Sequence, residues 1–190
     1  MNKLCKVCNR SFFSWEPELL SRKLVLKLNK SPITCYEIVA DMDKYPEFVP
    51  WINSVSTKHK SESYAVATMT IGFPPVTQTY NSYVTFTYPE KILSTSNNTP
   101  VFAKLESLWE FFPDKESLHQ EGSVVKVDRC EAHYSVKFKF ASAFYQHLSG
   151  VVLDQVCTVS AKSFTNKINS VPYNNEVLYN KEKHHYEFSK

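Results

Sequence analysis

The sequence predicts an α+β domain in which an antiparallel sheet of about seven strands is covered by one long C-terminal helix. Three observations carry this. Segments of period-two alternation follow one another through residues 23–140 with short turns between them, which makes them antiparallel neighbours. Residues 142–168 contain no proline and repeat their apolar positions at helical spacing. Only that helix is large enough to cover the apolar face of the sheet.

Residues 1–22 differ from the rest: Lys3, Lys6 and Arg10 precede any acid, and serines are frequent. Wound as a helix, Leu4, Cys8, Phe12 and Trp15 share a face, and Arg10-Ser11-Phe12 resembles a mitochondrial processing site, so a transit peptide cleaved between about Arg10 and Arg22 is expected. A short frayed terminus is the competing reading.

The domain is expected over residues 23–168. In residues 23–28, Leu24, Leu26 and Leu28 face one way and Lys23, Val25 and Lys27 the other, as in a half-buried edge strand. Ser31-Pro32 opens a helix whose inward face is Ile33, Tyr36, Val39 and Ala40. Pro46 and Pro50 then break the chain into a short helix and an elbow. Residues 64–71 alternate, with Ala65, Ala67, Met69 and Ile71 on one side, and end at Gly72-Phe73-Pro74-Pro75. Residues 76–88 place Tyr80, Ser82, Val84, Phe86 and Tyr88 together, and residues 91–95 form a shorter strand. In residues 102–112, Leu105, Ser107, Trp109 and Phe111 point inward against Lys104, Glu106 and Glu110. Residues 124–140 read as one last long strand, with Tyr134, Val136, Phe138 and Phe140 inward.

In the long helix, His147, Asp154, Thr158 and Thr165 form a narrow polar stripe. Phe144, Leu148, Val152, Val156 and Val159 make one apolar flank, and Leu153, Cys157, Ala161 and Phe164 the other. Both flanks can be ordinary core, or one can close a pocket. Residues 169–190 have no periodic apolar face and are expected to be a poorly ordered tail.

At 190 residues, with 43% hydrophobic and 14% aromatic side chains, the chain suits one core. A net charge of +3, dispersed along the chain, argues against nucleic acid as a partner. Five unevenly spread cysteines fit a reducing compartment better than a disulfide framework. Cys5 and Cys8 have metal-ligand spacing, but no second pair follows them, which reads against zinc. No apolar run reaches the roughly 20 residues that a membrane-spanning helix needs.

No catalytic constellation emerges. Glu106 and Glu110 fall on the solvent side of their strand, where pairing with lysine explains them. His133 shares the outward phase of Lys137. Three glycines leave no phosphate-cradling loop. What the chain has in excess is inward apolar surface of mixed size. Small Ala65, Ala67 and Ser107 can admit the helix closely or leave volume for a ligand.

Asp41-Met42-Asp43-Lys44-Tyr45-Pro46-Glu47-Phe48-Val49-Pro50-Trp51 resembles the D-x-x-x-Y-x-x-F-x-P-W/Y signature of the mitochondrial coenzyme Q-binding protein family, a branch of the START-like, or polyketide cyclase/dehydrase and lipid transport, superfamily. Ala67-Thr68-Met69-Thr70-Ile71-Gly72-Phe73, Tyr80-Asn81-Ser82-Tyr83-Val84-Thr85 and Leu105-Glu106-Ser107-Leu108-Trp109-Glu110-Phe111 are similar to three of its strands, in order. Ser135-Val136-Lys137-Phe138-Lys139-Phe140 resembles its last strand, and Leu148, Asp154, Val156 and Phe164 match its helix. Departures are Ile52 where cysteine is common, His133 for a frequent aspartate, and Gly150 within the helix at about 1 kcal/mol.

The resemblance implies a helix-grip fold with a hydrophobic cavity that binds ubiquinone without catalysis and with no catalytic cofactor. It also implies a peripheral protein on the matrix side of the mitochondrial inner membrane, serving respiration and ubiquinone biosynthesis. Tyr45, Ala67, Met69, Ile71, Tyr80 and Val84, with Leu105, Trp109, Phe138, Phe140, Leu148 and Val152, are the expected cavity residues. Tyr45, Tyr80 or Trp109 would supply a hydrogen bond to the quinone head. Phe48, Val49, Pro50 and Trp51 on the elbow, with Phe144 and Tyr145 at the helix start, are expected at the mouth and in membrane contact. Respiratory or quinone-synthesis complexes are the expected protein partners. A cyclase-type enzyme and a ribosome-interaction module are the alternatives this superfamily allows.

Overall fold

The computed structural model describes residues 18–73, 76–121, 124–142, 149–173, 177–180 and 185–188. Strand β1 (Leu19–Leu28) leads into α1 (Pro32–Ala40), a 3-10 turn (Met42–Glu47), β2 (Ile52–Ser61), β3 (Tyr64–Phe73), β4 (Val76–Thr87), β5 (Lys91–Asn97) and β6 (Phe102–Pro113). Then come β7 (Leu118–Glu121), β8 (Val124–Val127), β9 (Cys130–Phe140), helix α2 (Ser149–Ser170), β10 (Val177–Asn180) and β11 (His185–Phe188).

Among the described residues, seven strands form an antiparallel sheet in the order β1-β9-β6-β5-β4-β3-β2. Its phases are those the alternation dictates: Val25 is exposed, while Leu28, Ala65, Val84, Trp109 and Phe138 are buried. Ser31 caps α1 by accepting from the Thr34 amide at 3.3 Å, and Pro32 occupies the first turn, where its missing N–H costs nothing. Almost every side chain of α1 is buried, so this short helix plugs the core rather than lying on it. Helix α2 buries Cys157, Ser160, Ala161, Phe164 and Ile168 and leaves Asp154 and Thr158 outside. Asp154 meets Arg22 of β1 at 3.5 Å, an exposed pair of little energetic weight.

Three features differ from the sequence reading. Residues 124–140 are two strands, because the chain breaks at Asp128-Arg129 and β8 joins a second sheet of order β11-β10-β8-β7. Phase explains the break: Val125 and Val127 are odd, whereas the apolar residues Ala132 to Phe140 are even, so one strand would place them on opposite faces. Strand β1 begins at Leu19, within the stretch expected as a leader. The stretch expected as a tail contributes β10, which pairs with β8, and β11, which pairs with β10.

Candidate functional site

Between the buried face of the sheet and α2 lies a cavity of about 170 Å³. Its floor follows the strand register: Trp109 lies opposite Tyr134, Ser107 opposite Val136 and Leu105 opposite Phe138, while Ile92 and Ser94 on β5 face Trp109 and Ser107. Met69 pairs with Tyr80 on the far side of the floor, and Ile71 with Ile52. Helix α2 supplies the roof with Val156, Ser160 and Phe164, one residue per turn on a single face. Met42, Tyr45, Val49 and Trp51 from the 3-10 turn and elbow close one end.

Aromatic contacts fix these walls. The Phe164 ring meets Tyr45, Phe48 and Trp109 at centroid distances of 5.0, 5.1 and 5.0 Å, all tilted or edge-on. Each such contact contributes about 0.5–1.5 kcal/mol beyond area burial, so Phe164 pins the end of α2 to the elbow and to β6. The Tyr45 hydroxyl donates to the Val39 carbonyl, which commits its proton to holding the 3-10 turn against α1. Phe102, Phe138 and Phe140 form another cluster, with centroids 5.0–5.8 Å apart.

Besides the indoles of Trp51 and Trp109, the polar side chains in the lining are hydroxyls. Burial pushes the Tyr134 phenol well above its ordinary range, and the nearby Cys157 thiol adds to that, while the neighbouring Ser160 and Ser107 hydroxyls oppose it. Burial also raises Tyr80 to about 12 and holds Tyr45 far above its usual value. All three phenols are therefore neutral at physiological pH. Ser94 is hydrogen-bonded to Ser82, and Ser96 donates to the Asn81 carbonyl at 2.8 Å.

Of the residues singled out from the sequence, Tyr45, Met69, Ile71, Tyr80, Leu105, Trp109, Phe138 and Phe140 come together around the cavity. Ala67 and Val84 do not line it; both have no exposed surface and belong to the packed core. Leu148, Phe144 and Tyr145, and the side chain of Val152, lie outside the described residues. On the elbow, Val49 and Trp51 turn into the cavity, Phe48 lies against Phe164 beneath the Lys167 ammonium at 5.7 Å, and Pro50 is exposed.

Sequence reasoning gave Tyr134 and Ser107 no polar role and missed Ser94 and Ser160. Their signal was present: Ser160 stands one turn from Val156 and one from Phe164, and Ser94 shares the phase of Ile92. A serine amid an apolar phase marks a place where a hydroxyl must find a partner.

On the outer face Glu106 pairs with Lys137 at 2.9 Å and Lys104 at 3.4 Å, as cross-strand logic requires. The Lys137 hydrogen bond is the main reason its carboxyl is held below the usual range. His133 is half-buried beside Phe112 and meets Glu131 at 2.9 Å. Among the described residues, no helix is long and apolar enough to cross a membrane.

The model of the polyketide cyclase/dehydrase and lipid transport family matches residues 28–165. The chain is 31% identical over 121 residues to the mitochondrial coenzyme Q-binding protein COQ10 homolog B of Xenopus laevis, covering 64% of this chain and 46% of that protein. It is 23% identical over 133 residues to the mitochondrial coenzyme Q-binding protein COQ10 of Drosophila melanogaster, covering 70% and 52%. The chain thus spans about half the length of these curated relatives. The ribosome association toxin RatA of Rickettsia prowazekii is 24% identical over 122 residues, covering 63% of this chain and 75% of that one. Among solved structures, the Zhui aromatase/cyclase of Streptomyces sp. R1128 superposes with a TM-score of 0.66 at 11% identity, covering 80% of this chain and 94% of that chain, a likeness of fold alone.

Proposed function

Because the chain belongs to the polyketide cyclase/dehydrase and lipid transport family, and its relatives include coenzyme Q-binding proteins, we propose that it binds ubiquinone in the cavity under α2 and carries it without altering it. The observation that carries this reading is the lining itself: apolar and aromatic walls around a few neutral hydroxyls. Apolar chain leaves water for such walls at about 0.8 kcal/mol per buried CH₂. The ring's oxygens meet hydroxyls on the floor, with Tyr134 and Tyr80 as donors in preference to Tyr45, whose proton is committed. Trp109 and Phe164 serve as flat walls for the ring.

At about 170 Å³ the cavity is smaller than the ~300–1,000 Å³ of sites that enclose a drug-sized molecule. It suits the ring and the start of the chain, with the remaining isoprene units outside it. That geometry supports a carrier that presents one end of its cargo, docked peripherally on the matrix side of the mitochondrial inner membrane. Exposed Pro50, together with Phe144, Tyr145 and Leu148, is the proposed contact. Respiratory and quinone-synthesis complexes are the proposed recipients. The titratable groups lining the cavity are phenols raised above their ordinary range, poorly matched to proton transfer near neutrality, which supports binding over catalysis.

Titration of the full chain with a short-chain ubiquinone, followed by quenching of Trp109 fluorescence in a protein whose other tryptophans are phenylalanine, tests the proposal. Saturable quenching at one ligand per chain is expected. Linear, unsaturable quenching overturns it.

A further inference from the structure

We propose that a second pocket, on the surface beside the elbow, holds the zwitterionic headgroup of a membrane phospholipid, its phosphate on Lys44 and Lys167 and its ammonium on Glu37 and Asp41. This rests on the peripheral docking proposed above, not on the identity of the cargo. The pocket has a volume of about 310 Å³. Its charged lining comes from three elements: Glu37 and Asp41 from the end of α1, Lys44 and Glu47 from the 3-10 turn, and Lys167 from the last turn of α2.

The charges are grouped by sign. Glu37 and Asp41 stand one turn apart at the C-terminal end of α1, whose last turn holds no basic residue. A helix C-terminus favours a cation by its dipole, and two carboxylates there strengthen that preference. The cations gather around Glu47, which Lys44 and Lys167 approach at 3.4 and 3.7 Å, two ammoniums for one carboxylate. Exposed pairs of this kind hold weakly, so a phosphate can draw both ammoniums to itself. Phe48 and exposed Tyr173 add aromatic surface, which attracts a quaternary ammonium.

The balance of charge decides the class of headgroup. Glu37, Asp41 and Glu47 outnumber Lys44 and Lys167. A purely anionic headgroup therefore meets net repulsion here, although the whole chain carries a net charge of +3. A headgroup with both signs satisfies both groups of side chains. The pocket also lies where membrane contact is proposed, since Phe48 is two residues from exposed Pro50. The Phe48 ring meets Tyr45 and Phe164 of the cavity wall at 5.8 and 5.1 Å, so a headgroup held here brings that wall to the lipid surface.

The test is flotation of the full chain with vesicles of pure phosphatidylcholine or pure phosphatidylglycerol at physiological salt. It is repeated on the double variant Lys44→Met, Lys167→Met and on Asp41→Asn, each shown to be folded by urea denaturation. Phosphatidylcholine is expected to bind about threefold or more tightly than phosphatidylglycerol, with free glycerophosphocholine as a competitor. The double variant should lose the binding to phosphatidylcholine, and Asp41→Asn should narrow the preference. Equal or tighter binding to phosphatidylglycerol overturns the inference and leaves peripheral docking intact. So does binding to phosphatidylcholine that is unchanged in the double variant, or a preference unchanged in Asp41→Asn. Binding to neither vesicle overturns both the headgroup site and the docking, and leaves the quinone reading to its own titration.

Discussion

The Trp109 and Tyr134 rings lie stacked, with centroids 4.3 Å apart and planes 21° apart, across the register pair that joins β6 to β9. The stack holds the Tyr134 ring on the floor of the cavity, whose lining also includes Ser107 and Ser160. Trp109 also meets Phe164 from α2, so the two residues connect the sheet, the helix and the polar centre of the cavity. Perturbing either should therefore be felt in binding, in stability, or in both.

Tyr134→Phe keeps the stack and removes the hydroxyl. A neutral hydrogen bond contributes about 0.5–1.5 kcal/mol net, so short-chain ubiquinone should bind roughly 2- to 12-fold more weakly. Stability in urea should fall by no more than a similar energy, with an unchanged m-value. Wild-type affinity in this variant would remove Tyr134 from the site.

Phe164→Ala deletes a buried ring with three aromatic partners. The expected cost is about 3–5 kcal/mol, measured by urea denaturation, and Phe164→Leu should recover most of it. The cavity would open towards the elbow, so bound quinone should dissociate faster from the alanine variant.

Leu105 and Ala67 separate cavity from core. Leu105→Trp places volume in the cavity, and should abolish quinone binding with a stability change under about 1.5 kcal/mol. Ala67→Leu forces volume into a site with no free surface, and should cost about 1–3 kcal/mol of stability. Chemical denaturation and ligand titration on the same two variants distinguish the effects.

Glu106 gives a pH dependence. Its carboxyl, accepting from Lys137 and Lys104, titrates below the ordinary 4.5 in the folded protein, so its ionised form is the one folding favours. Its contribution is complete above about pH 4.5 and is lost as pH falls through the lowered native value. Because both lysines are well exposed, that contribution is at most ~1 kcal/mol. In Lys137→Met the stability curve below pH 4.5 should be flatter than in wild type, as followed by urea midpoints at stepped pH.

Alternation made most of the main sheet legible in the sequence. Residues such as Leu105, Trp109 and Phe138 could be assigned to one face because a strand's period is exactly two. Period alone does not say how far a side chain reaches. Ala67 and Met69 share a phase, yet only Met69 is long enough to present surface to the cavity. Nor does period say where a strand ends: the phase change between Val127 and Ala132 was written in the sequence, but its meaning depends on β8 pairing with β10, a contact some 50 residues distant. The serines of the lining were hidden for a related reason. Ser94, Ser107 and Ser160 are each ordinary in their own segment, and only the β5–β6 register and the approach of α2 bring them to one cavity.

Lipid extraction and mass spectrometry of the full chain, purified without added quinone from cells that make it, tests the central claim most directly. Ubiquinone recovered near one molecule per chain, and lost in Leu105→Trp, is the predicted result. A folded protein that yields a different lipid, or none, from both wild type and variant would contradict it.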